Sequence, residues 1–127
     1  MTVGIVDTTV IVHYFRKNSV AQAWVNTQPA RLSVTPITWL EIMYGAGSKA
    51  KEAVSKSILN RFEMVYLSEA DQDWAMQQVE QYRLSHGVSI NDCLIASVAF
   101  RLQAPFYTTN VKHFLPMLDP KLVFEPY

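Results

Sequence analysis

Short apolar runs alternate with stretches of helical periodicity along the whole of this chain, and that alternation restricts it to few architectures. Val3 to Val6 reads as a buried first strand closed by Asp7. Runs at 32–35, 63–67, 106–108 and 122–124 read as four more. Between them the spacing predicts helices over about 8–16, 19–27, 36–45, 49–61, 69–86 and 89–103. Pro36 directly after Thr35 is a helix-start signal, and Gly87 is a stop. Strands separated by helices pair in parallel through right-handed crossovers, so the expected fold class is α/β with a three-layer, parallel sheet. The 127 residues fit one domain, 1–127, long enough to bury a core.

The helix faces can be read in the same way. The first helix turns Val10, Tyr14 and Ile11 inward, and the second carries Val20, Ala23, Trp24 and Thr27 on one face. The helix opened by Pro36 sets Ile37, Leu40, Glu41 and Tyr44 on one stripe that is expected to face the core. Leu94-Ile-Ala-Ser-Val-Ala-Phe100 is the most hydrophobic helical segment and is expected to lie beneath the rest.

Bulk properties narrow the setting. Half the residues are hydrophobic, which argues against disorder, and Cys93 is the only cysteine, so no internal disulfide can form. No apolar stretch approaches the ~18 residues of a membrane span. A first strand near residue 3 leaves no room for a signal peptide, and a cytoplasmic location without membrane contact is expected. Net charge is zero, which argues against binding nucleic acid chiefly through a large basic face. It excludes less for an enzyme whose metal meets the phosphate. The charges are uneven: Lys49, Lys51, Lys56 and Arg61 form a basic run, and Glu69, Asp71, Asp73 and Glu80 an acidic one. Each reads first as a solvated helix face.

Three acids stand apart from those runs. Asp7, Glu41 and Asp92 each stand at the start of an expected helix, where an open α/β sheet gathers its strand ends on one edge. Singly, each has an ordinary explanation: Asp7 and Asp92 suit helix caps, and Ser89-Ile-Asn-Asp92 has capping-box spacing. Jointly they are harder to explain. Each is drawn inward by apolar neighbours, and three acids on one edge repel unless a cation joins them. Oxygen ligands without a His or Cys cluster point to Mg²⁺ or Mn²⁺, and that chemistry suits phosphodiester hydrolysis.

The ordered set Val6-Asp7-Thr8, Ser33-Val-Thr-Pro-Ile-Thr-Trp-Leu-Glu41-Ile-Met-Tyr-Gly45, Asn91-Asp92-Cys-Leu-Ile-Ala-Ser97 and Thr108-Thr-Asn110-Val-Lys-His113-Phe114 resembles a PIN-domain ribonuclease, specifically a VapC-type toxin of a toxin–antitoxin pair. The resemblance covers nearly the whole chain. It implies a PIN-like fold with a five-stranded parallel sheet, Mg²⁺- or Mn²⁺-dependent cleavage of RNA, a homodimer, and inhibition by a cognate antitoxin seated in an apolar groove near the first two helices. It makes Asp7, Glu41 and Asp92 the catalytic and metal-binding acids. Thr108 becomes a hydroxyl supporting the site near Asp7, and Asn110 a further support through a metal-bound water. The last motif departs from the family pattern, because Asn110 and His113 stand where a fourth acid is common. This weakens the case for a second metal, and His113 is expected to pack beside Phe114.

Other residues have plainer readings. Cys93 is expected in the core, His13 and His86 in surface or packing roles, and Trp24, Trp39 and Trp74 at core positions. Arg16 and Lys17 end the first helix and could rim a substrate groove or simply be solvated. A haloacid-dehalogenase-type phosphatase would need an acid where Thr9 stands, and a receiver domain would need a phosphoacceptor where Leu67-Ser68 stands. The non-enzymatic alternative is a PIN-like binding module with weak or no catalysis.

Overall fold

The computed structural model describes residues 4–127, so Val3 lies outside it. Five strands form one sheet: β1 (Ile5–Val6), β2 (Ser33–Val34), β3 (Glu63–Met64), β4 (Phe106–Tyr107) and β5 (Val123–Phe124). Their order is β3-β2-β1-β4-β5 with every neighbouring pair parallel, and Ile5 sits opposite both Ser33 and Phe106 at the centre. The fold is thus the five-stranded parallel α/β arrangement expected. The strands are shorter than expected. The 63–67 run pairs chiefly at Glu63–Met64, although Val65 N–H still donates to Val34 O at 2.9 Å.

Among the described residues, seven α-helices complete the layers: α1 (Thr8–Phe15), α2 (Ser19–Asn26), α3 (Pro36–Tyr44), α4 (Lys49–Leu59), α5 (Glu69–His86), α6 (Ile90–Leu102) and α7 (Val111–Phe114). The short α7 was not anticipated. Successive residues of β1 face opposite sides of the sheet. Ile5 joins a core with α6, Phe106 and Phe114, while Val6 joins another with Val10, Ile11, Ile42 and Leu59. As expected, α6 lies deepest, with Cys93, Ile95, Ala96, Ser97, Val98 and Ala99 buried.

Two helix faces differ from expectation. In α2 the inward residues are Ala21, Trp24 and Val25, while Val20 is 56% exposed, because Trp24 anchors the helix against Tyr107 and Tyr127. In α3 the buried residues are Thr38 and Ile42, while Leu40 is 57% and Tyr44 94% exposed. A hydroxyl pair causes this rotation: Thr38 Oγ1 lies 2.9 Å from Thr8 Oγ1 and turns α3 towards α1 by its polar residue. Glu41, one turn after Thr38, is carried to the edge of that interface rather than into the core.

Candidate active site

The chain passes from β1 to β2 and β3, then returns to β4 on the other side of β1. The crevice beyond the C-terminal ends of β1 and β4 is therefore the switch point of the sheet, where open α/β folds bind ligands. Asp7 follows β1, Thr108 follows β4, and Thr108 Oγ1 donates to Asp7 Oδ2 at 2.8 Å across that crevice. Thr9 Oγ1 donates to the same oxygen at 3.1 Å, and Thr8 N–H donates to Oδ1 at 2.8 Å. Asp7 is only 3% exposed.

Crossover helices run antiparallel to the strands they serve, so their N-terminal turns reach this same edge. On α3, Glu41 Oε1 accepts from Thr8 Oγ1 at 2.7 Å. Having given its proton to the carboxylate, Thr8 Oγ1 can accept one from Thr38, and the two hydroxyls become a relay that fixes Glu41.

Asp92 at the start of α6 is best judged against Asp71 in α5. Both follow a serine by three residues. Ser68 and Asp71 complete a reciprocal cap: Asp71 N–H donates to Ser68 Oγ at 3.1 Å, and Ser68 N–H to Asp71 Oδ2 at 2.9 Å. Ser89 Oγ likewise accepts from Asp92 N–H at 3.0 Å, but Asp92 Oδ2 faces His113 Nδ1 at 3.2 Å instead of returning to Ser89. Helix capping therefore leaves the Asp92 carboxylate free for other work.

This contact corrects the expectation for His113. It is not packed away beside Phe114 but stands at the acid edge, with Asn110 Nδ2 3.1 Å from the same ring nitrogen. Because a carboxylate only accepts, Nδ1 carries the proton towards Asp92, and Asn110 meets that N–H as an acceptor only with its amide turned to present Oδ1. Asn110 itself is exposed and touches the site indirectly, through His113 and through its backbone N–H, which donates to Thr108 Oγ1 at 2.9 Å.

Asp7, Glu41 and Asp92 line one cavity of about 240 Å³, with Thr8, His13, Arg16 and Thr109 among the other walls. His13 also meets the Tyr127 hydroxyl through Nδ1 at 2.8 Å. Burial pushes the Asp7 carboxyl up to about 6; the Thr108 hydroxyl opposes this and the neighbouring Asp92 charge adds to it. Cys93 is pushed up to about 11, first by burial and then by Asp92, so its thiol is an inert core group.

Among the described residues, no three acid, His or Cys side chains stand close enough together to hold a cation between them. The acids share a cavity without closing into a three-ligand cage. The donor set still fits a hard divalent ion, since Mg²⁺ is commonly held by one or two carboxylates and keeps several waters. Asp7 and Asp92, whose charges act on each other in a partly desolvated cavity, make such a pair. Glu41 stands across from them, on Thr8.

Sequence reasoning passed over Thr8, Thr9 and Thr38. The adjacent hydroxyls of Asp7-Thr8-Thr9 and the inward threonine of α3 were the available signal.

The model of the PIN domain family matches residues 4–114. No curated protein matches the sequence. Among solved structures, a toxin–antitoxin complex from Klebsiella pneumoniae matches at 22% identity and TM-score 0.79, covering 98% of both chains. DNA-bound VapBC from Salmonella typhimurium matches at 23% identity and TM-score 0.81, again over 98% of both chains. VapBC-1 from nontypeable Haemophilus influenzae matches at 26% identity and TM-score 0.72, over 93% of this chain and 96% of that one.

Proposed function

Because the chain belongs to the PIN domain family, we propose that it is a metal-dependent endoribonuclease acting as the toxin of a type II toxin–antitoxin module. The observation that carries the reading is a buried carboxylate, Asp7, sharing the switch-point cavity with Asp92 and Glu41. Asp7 and Asp92 would hold Mg²⁺ or Mn²⁺. When bound, the ion would supply the charge that makes water a stronger nucleophile and offsets charge developing on the phosphodiester.

The chain's own residues do the rest. Thr108, Thr9 and the Thr8 amide fix both oxygens of Asp7, while His113 holds one oxygen of Asp92. Thr8 engages only Oε1 of Glu41, leaving Oε2 to orient the attacking water and take its proton. A bond then forms from that water oxygen to phosphorus as the bond to the leaving ribose oxygen breaks, the leaving oxygen taking a proton from solvent, with no covalent enzyme intermediate.

The solved neighbours are toxin–antitoxin complexes by name, which supports a cognate antitoxin as protein partner. Besides the groove expected near α1 and α2, a strongly apolar cleft opens elsewhere on the fold. It measures about 810 Å³ and lies between α3, α5 and α6, walled by Ile37, Leu67, Met76, Val79, Ile90 and Leu94. An apolar surface of this size suits burial against protein, including a second copy of the chain in a homodimer.

The test is cleavage of total RNA with and without EDTA, beside Asp92→Asn, with products mapped. Metal-dependent cuts lost in the variant are expected; cleavage that survives both EDTA and Asp92→Asn sinks the reading. A divalent-metal titration separates the binding-module alternative, which should bind Mn²⁺ weakly and cut nothing.

A further inference from the structure

A second cavity of about 390 Å³ adjoins the acid cavity and lies between α1, α3 and α4. The two share Val12, Arg16 and Glu41 as walls, so they form one continuous groove. Away from the acids, the groove is floored by Val12, Phe15 and Ile42 and edged by Lys51.

The state of its cations distinguishes this groove from the other basic cavity. Arg31 and Arg61 line a pocket beneath α2, but both are spoken for. Arg31 donates to the backbone oxygens of Asn60 and Phe62, and Arg61 to Tyr14 and Asn26. Lys49, near the groove, is paired with Glu52 at 3.1 Å. Arg16 and Lys51 are exposed, and neither makes an ion pair among the described residues.

A polyanion brought to Asp7, Glu41 and Asp92 meets repulsion from three carboxylates. It needs positive charge alongside the acids to stay there, and a chain of zero net charge offers no general attraction. Arg16 and Lys51 supply that charge on one side of the acids, over an apolar floor.

Resting on the nuclease reading, we propose that this second cavity is a subsite for one nucleotide next to the scissile phosphodiester. Arg16 and Lys51 take its phosphate, and Phe15 with Val12 and Ile42 packs against its base. The occupant is single-stranded RNA, since a base is free to leave its stack and lie on an aromatic face there.

The test measures binding rather than turnover. The affinity of a fluorescein-labelled single-stranded RNA oligonucleotide is measured by anisotropy in EDTA at several salt concentrations. Wild type is compared with Lys51→Gln, Phe15→Ala and a remote control, Lys121→Gln. For Lys51→Gln the plot of log affinity against log salt should flatten by about 0.7, the value of one lost phosphate contact on a single strand. Phe15→Ala should weaken binding while leaving that slope intact. Lys121→Gln should change neither.

Melting temperatures check that the variants fold; should Phe15→Ala unfold, Phe15→Leu replaces it. An unchanged slope for folded Lys51→Gln overturns the subsite. So does a Lys51→Gln variant that loses only a co-purified protein partner and keeps its RNA affinity, since the groove would then be a protein seat. The two readings fail separately: RNA held through Lys51 but never cut keeps nucleotide binding in this cavity and sinks the nuclease.

Discussion

Asp7 illustrates how a residue proposed to hold a metal would act against stability. Its carboxylate is buried among apolar strands and beside another acid, so the folded protein holds its proton up to about pH 6, against 3.8 for a free side chain. Between those values the unfolded chain sheds the proton while the folded chain keeps it. Stability of the metal-free protein should therefore fall as pH rises through about 4 to 6. Each pH unit of that displacement corresponds to ~1.4 kcal/mol, partly offset in Asp7→Asn because an amide keeps one acceptor and turns Nδ2 towards the Thr8 N–H. Asp7→Asn should thus stabilise the metal-free protein by about 1–2 kcal/mol at pH 7.5, converge with wild type near pH 4, and abolish cleavage. Urea melts at the two pH values check this, and a variant less stable than wild type at pH 7.5 would contradict the account. His113 works in the opposite sense, by orienting an acid instead of burdening one. Loss of a partner that orients a metal-binding group commonly costs ~10–100-fold in affinity. His113→Ala should therefore weaken Mn²⁺ binding about tenfold in calorimetric titration while barely moving the melting temperature, because the ring is exposed on one side.

Among the elements, the α5–α6 hairpin sets where Asp92 stands, and one buried contact ties it. Asp71, 2% exposed, completes the cap of α5 and accepts from Arg101 Nε of α6 at 2.9 Å. Arg101 also reaches Tyr66 O at 3.2 Å, joining the hairpin to the turn after β3. Removing the cation leaves a buried carboxylate with only its capping bond, so Arg101→Met should destabilise the chain by about 3 kcal/mol in urea unfolding. A loss below about 1 kcal/mol would show that Asp71 is satisfied by the cap alone. The helices also show where the sequence was legible. Strong signals such as Thr35-Pro36 and Gly87 placed helix ends well, and the apolar density of α6 placed it in the core. Rotation about the helix axis was another matter. Leu40 and Tyr44 look like inward residues by type, yet α3 turns Thr38 inward because a hydroxyl pair with Thr8 on a distant segment decides the facing. Periodicity shows that a helix has two faces; which one is buried depends on a neighbour that the local sequence does not name.

For the whole molecule, strand alternation announced a parallel α/β sheet, while the order β3-β2-β1-β4-β5 emerges only from packing. That order makes the site, since it puts the ends of β1 and β4 side by side and lets Thr108 reach Asp7 across 101 positions. Spacing could nominate Asp7, Glu41 and Asp92, but not reveal that they line a cavity without closing on a common centre. On the proposed reading, the same arrangement would couple ion binding to the stability of the fold. A cation held by Asp7 and Asp92 would bind the folded sheet edge and not the unfolded chain, in which β1 and α6 drift apart. At a hundredfold excess over its dissociation constant such an ion stabilises by about 2.7 kcal/mol, or roughly 8 °C in a domain of this size. Saturating Mn²⁺ should therefore raise the melting temperature by several degrees, and by less at pH 5 than at pH 7.5, because at pH 5 it must first displace the proton that burial keeps on Asp7. The shift should vanish in Asp7→Asn, although that variant begins from a higher melting temperature. Scanning calorimetry with Mn²⁺ and with EDTA at both pH values reads all of this. An equal shift in Asp7→Asn would place the ion somewhere other than the switch-point cavity.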